Sequence, residues 1–335
     1  MPASTAIRMA FPWSRPGPWL FMTACLVALG SAFCGSAVDA APAEVAIPGD
    51  HVYPESITST ADGTLYVGSM GDGVIMRVPP GGSQAEPWVK AGSNGLLSVA
   101  GVLADEGTQT LWACSGDLSA AGVVMKAGEK PGGLKSFDLK TGAAKGAYAL
   151  PGSRTFCNDM VLAKDGTLYV TDSSSPHILR LAPGGKRLEV WAEDERFKVE
   201  GGAGLDGIAL GSDGNIYVNT YKGGGLFRVA VGEDGKAGQV TTLRPSSKID
   251  LPDALRSIGP NTFLMIEGAG RLDRITVTDD SAKVDVVHDG YKLPVSVTVV
   301  GNTAWVLEGQ LNHLFDRQTG KPDPFKAYAV TDFSR

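Results

Sequence analysis

A turn-and-strand signature repeated six times constrains this chain more than any other feature. It reads ADGTLYV (61–67), DEGTQTLWA (105–113), KDGTLYV (164–170), SDGNIYV (212–218), GPNTFLM (259–265) and VGNTAWV (300–306). In each, an Asp-Gly, Glu-Gly or Asn turn supplies the backbone torsions of a tight hairpin, and a β-prone apolar strand follows. A short apolar strand precedes each turn, as in MVLA (160–163) and GIAL (207–210). A third and a fourth strand come after it, as in HILRLA (177–182) and RLEVWA (187–192). Helical periodicity is nearly absent. The pattern predicts an all-β chain, a six-bladed β-propeller with four antiparallel strands per blade.

The stretch before the repeats reads differently. Arg8 and Arg15 give a positive start, Trp19 to Cys34 is almost wholly apolar, and Val38-Asp39-Ala40 fits a cleavage site. We read residues 1–40 as a signal peptide and 41–335 as one propeller domain in the periplasm or outside the cell, with no membrane attachment after cleavage. An uncleaved membrane anchor is the alternative. Processing removes Arg8, Arg15 and Asp39, a net charge of +1, which takes the formal −6 of the whole chain to −7. An acidic chain without a cluster of Lys and Arg argues against nucleic acid as a partner. Two short strands compete to close the ring in blade six, EVAI (44–47) and PFKAYAV (324–330).

The first channel-facing residue of each inner strand is Glu55, Ala100, Asn158, Asp206, Asp253 and Val295, spaced 42 to 58 residues apart. The ends of the second strands form another ring, Ser69, Ser115, Asp172, Thr220, Glu267 and Glu308. Three carboxylates and a carboxamide in the first ring repel unless a cation or protons offset them. A hard divalent ion accepts such oxygens, and Ca²⁺ tolerates irregular sets of them. No Cys or His stands in the ring, which argues against zinc or copper. A water-filled polar channel and a purely structural ion are the competing readings. Cys114 and Cys157 fall near the same opening on neighbouring blades, which in an oxidising compartment predicts a disulfide between them.

PES (54–56), RTFCND (154–159), LDGI (205–208), LPDAL (251–255) and YKGGGLFRV (221–229) resemble motifs of the gluconolactonase, regucalcin and senescence-marker family of calcium-dependent lactonases. The likeness extends more distantly to paraoxonases and strictosidine synthase-like propellers. It implies one divalent cation, Ca²⁺ by the family's habit, held by Glu55, Asn158, Asp206 and Asp253, with Arg154 touching substrate. Asp206 departs from the family, which usually has Asn there, and Arg154 lies further from Asn158 than the family spacing. The implied reaction is metal-assisted hydrolysis of a small lactone or ester, with Asp253 activating or positioning water.

His51, four residues before Glu55, is an acid–base candidate set against the plainer reading of an exposed loop histidine. A strictosidine synthase-like reaction would draw on Glu308. A propeller that only binds a ligand or protein through its loops is the alternative from another class, since fold alone does not fix function.

Overall fold

In the computed structural model, which describes residues 43–119 and 132–334, each signature turn closes a hairpin between the first and second strands of a sheet. The Asp of the turn does part of the work. Asp62 Oδ1 accepts from Thr64 N at 2.9 Å, and Asp165 and Asp213 repeat that bond with Thr167 and Asn215. Gly63 follows Asp62 at φ 92°, a left-handed torsion that a Cβ disfavours. Six antiparallel sheets result. Their inner strands are Pro54–Ser59, Ser98–Asp105, Cys157–Leu162, Leu205–Leu210, Pro252–Gly259 and Pro294–Val300.

Both strands that competed for blade six belong to it. Phe325–Val330 is the third strand and Glu44–Ile47 pairs outside it, with Glu44 opposite Tyr328 and Ile47 opposite Phe325. The outer place therefore goes to the N-terminal strand. Ala46 also bonds to the start of blade one's outer edge, through Ala46 N to Ser83 O and Ala85 N to Ala46 O, both 2.9 Å. Blade five carries a short addition, Arg244–Pro245, running parallel to its outer strand Ser281–Asp289. Between blades, alternate strand residues such as Ile57, Val67, Ile208, Val218 and Leu255 are fully buried in apolar layers.

The predicted disulfide is present. Cys114, in the second strand of blade two, bonds Cys157, the first residue of blade three's inner strand, with Cα atoms 5.0 Å apart. The signal peptide assigned to residues 1–40 lies outside the described residues. No helix among the described residues is long and apolar enough to cross a membrane.

Candidate active site

All six inner strands break register at the same place. The shift falls between Pro54 and Ser56, Val99 and Val102, Cys157 and Met160, Leu205 and Ile208, Pro252 and Leu255, and Pro294 and Ser296. Each interval contains the ring residue inferred from the repeat. A bulge bends the strand and re-aims a side chain, so one irregularity, repeated six times, serves the positions facing the channel.

Backbone strain marks the same places. Tyr53, Leu251 and Leu293 have φ of 39°, 56° and 48°, and each is followed by the proline that opens an inner strand. A branched or aromatic residue is costly there and persists only where its surroundings fix it. Here the fixing groups are backbone amides of the same blade. Met70 N donates to Tyr53 O at 2.9 Å, Gly268 N to Leu251 O at 2.7 Å and Gly309 N to Leu293 O at 3.1 Å.

The second ring braces the same loops. Leu97 N donates to Ser115 Oγ at 2.8 Å, Phe156 N to Asp172 Oδ1 at 2.8 Å, Asp250 N to Glu267 Oε2 at 2.7 Å and Lys292 N to Glu308 Oε1 at 2.7 Å. Ser69 donates to Val52 O at 2.5 Å, while Thr220 accepts from Gly225 N within its own hairpin. Apart from Thr220, these side chains hold the loops leading into the inner strands, and none of the six lines the cavity described next.

Glu55, Asn158, Asp206 and Asp253, each only 4–6% exposed, meet at one cavity of about 490 Å³. Blades two and six contribute Ala100 and Val295 at the equivalent positions, both fully buried. Gly207, next to Asp206, brings blades four and five together: a Cβ there would stand 2.2 Å from Asp253 O. Asn158 Nδ2 donates to Asp206 Oδ2 at 3.0 Å and to Ser173 Oγ at 2.8 Å, and Ser173 donates onward to Leu205 O. Asn219 fixes the neighbouring backbone, accepting from Gly207 N and donating to Asp253 O.

Burial and mutual repulsion set the protonation of this group. Burial, then Asp206 and Asp159, pushes Glu55 well above the usual carboxylate range. Asp206 is raised to about 7 by burial and by Asp159. Asp253 is pushed well up by burial, then by Asp206, Glu55 and Asp159. Tyr221 lines the same cavity, and burial together with these three carboxylates raises its hydroxyl too.

Beside the quartet sits a pair that the repeat did not single out. Arg256 donates to both Asp159 oxygens, at 2.6 and 3.1 Å, and sets its charge against Glu55 and Asp253 as well. Asp159 adjoins Asn158 and Arg256 follows Asp253 by three residues, but neither lines the cavity. Asp159 closes the RTFCND motif, while Arg256 falls one residue past LPDAL and has no sequence signal of its own.

Two other candidates stand apart. Arg154 is exposed on the loop before blade three, and His51 is exposed with Nδ1 3.1 Å from Asp72 Oδ1; neither lines the cavity. Among the described residues, no group of three or more His, Cys, Asp and Glu side chains is drawn together to hold a metal ion. The donor set of hard oxygens suits a divalent cation. Burial and repulsion raise all three carboxyls, and a cation taken up there would offset that repulsion and displace protons.

A family model described as strictosidine synthase-like, N-terminal, matches residues 41–78. No curated protein matches the sequence. Solved structures match the fold over most of the chain. A gluconolactonase of Xanthomonas campestris is 15% identical, with 84% of this chain and 86% of that one covered and a TM-score of 0.61. The allergen Mala s 1 of Malassezia sympodialis is 14% identical, covering 88% and 98%, with a TM-score of 0.67. A luciferin-regenerating enzyme is 12% identical, covering 84% and 92%, with a TM-score of 0.61. The chain thus shares the six-bladed propeller fold of these proteins.

Proposed function

We propose that the channel cavity is the active site of an exported hydrolase of lactones or related esters, and that Glu55, Asn158, Asp206 and Asp253 hold one divalent cation, with Ca²⁺ the best match to the donors. The observation that carries this reading is the convergence of four nearly buried oxygen-bearing side chains, three of them mutually repelling carboxyls, at one cavity. Stability alone does not favour such a cluster, because each buried charge costs free energy unless offset. The gluconolactonase among the structural neighbours supports the reaction class. The disulfide supports an oxidising compartment, and so the reading of residues 1–40 as an export leader.

When bound, the cation would polarise the carbonyl of a lactone or ester. Asp253, on the cavity floor, would take a proton from water or give one to the substrate. Tyr221, kept protonated by burial and by the carboxylates, is a neutral hydrogen-bond donor on the wall. Arg256 limits the negative charge around the quartet, and Asn158 orients Asp206. Arg154 and His51 take no part in this reading.

The test is turnover of a panel of lactones and aryl esters, with added Ca²⁺ and with chelator. Chelator-sensitive hydrolysis is expected, falling at least about a hundredfold in Asp253→Asn, the scale of losing a general base. Glu308→Gln should be milder, since Glu308 braces a loop. Loss of activity in Glu308→Gln with retention in Asp253→Asn would overturn the reading, as would a panel with no turnover at all.

A further inference from the structure

The walls of the cavity differ sharply from its floor. Above the four oxygen-bearing side chains they are formed largely by Met70, Leu118, Phe156, Leu293, Leu311 and Phe315. Tyr221 offers one hydroxyl on the wall, while Ser173 already spends its own on Leu205 O and on Asn158. Phe315 is 48% exposed, although it is a large apolar side chain. It closes a single helical turn, Asn312–Phe315, inserted between the second and third strands of blade six. The other exposed large apolar residues among those described, Val190 and Val286, lie on outer strands away from the cavity. Phe315 is therefore the one whose exposure coincides with the site.

We infer that the cavity takes lactones or esters bearing an apolar alkyl or aryl group, with the carbonyl at the floor and that group against Phe156, Leu311 and Phe315. The inference rests on the proposed function for the identity of the reacting head. Its physical basis is complementarity. A polyhydroxylated ring would lose its water against largely apolar walls and leave most of its hydroxyls without partners, which binding does not repay. An alkyl or aryl group loses nothing there and gains from leaving water. A cavity of about 490 Å³ lies within the range of small-molecule sites, whose walls are mainly apolar around a few placed polar groups.

Lactams test this without turnover, because their amide ring resists hydrolysis. Calorimetric titration of the full chain, with Ca²⁺ and with chelator, would compare γ-butyrolactam with its γ-propyl and γ-hexyl derivatives and with a polyhydroxylated lactam. Affinity should climb with chain length, towards about fourfold per fully buried methylene. Phe315→Ala should weaken the hexyl derivative about five- to tenfold and leave the unsubstituted ring unchanged; the side chain is half exposed, so folding is not at stake. A flat series, or tighter binding of the polyhydroxylated lactam, overturns the inference. If no lactone or ester is hydrolysed but the series climbs and responds to Phe315→Ala, the hydrolase reading falls and the apolar site stands. Turnover confined to polyhydroxylated lactones, with a flat series, gives the reverse.

Discussion

Replacing Asp206 by asparagine should make the cation-free protein more stable, against the usual sense of changes at a buried, hydrogen-bonded residue. Asp206 moves from an ordinary value of 3.8 to about 7 in the folded chain. Between those two values the unfolded chain has released a proton that the folded chain keeps, so stability falls as pH rises through that window. About three pH units at about 1.4 kcal/mol each amount to about 4 kcal/mol, fully lost above pH 7. For a chain of 335 residues, that corresponds to a melting temperature lower by about 6 °C.

The carboxamide would carry no charge to bury, would still accept from Asn158, and would relieve Glu55 and Asp253 of a repelling neighbour. In chelator, urea unfolding at pH 5 and pH 8 should show a steep loss for the parent and a flattened one for Asp206→Asn. The variant should lead by up to about 4 kcal/mol at pH 8. Added Ca²⁺ should restore the parent and do little for the variant, because ligand binding stabilises only the state that binds. A variant less stable than its parent at pH 8 in chelator, or one with the parent's pH slope, would refute the reasoning.

Serine at both Cys114 and Cys157 should cost about 4 kcal/mol by loop-closure entropy for a separation of 43 residues, read from denaturant midpoints. Gly207→Ala should destabilise by about 1–3 kcal/mol, since its Cβ would meet Asp253 O at 2.2 Å; Gly259→Ala, with open space around it, should be near neutral in the same thermal-shift assay.

The blades were legible because their signals are local: an Asp beside a Gly in a turn, and alternation in the strands that flank it. The four oxygen-bearing residues were legible because they keep a near-constant offset from those turns. Closure was not, since EVAI and PFKAYAV are both short apolar strands and their pairing joins residues 282 apart. Arg154 and His51 lie close in sequence to Asn158 and Glu55, but exposed loops carry them away from the cavity. Asp172, Glu267 and Glu308 face the same way as cavity groups in the repeat and are consumed by loop amides instead. Arg256 and Asp159 depend on which side of a bulge a residue falls, and no strand pattern carries that.

Blade six also dictates an order of events. Its outer strand, Glu44–Ile47, is among the first segments of the domain to leave the ribosome, and its partner Phe325–Val330 is among the last. Until that partner arrives the early strand has no neighbour on that side, and the other five blades form an arc. Cutting the chain just after Ile47 would then leave the blade-six edge bare, a template for the same strand of another molecule. The ring is latched by four residues, and a mixture of cut and intact chains should exchange them.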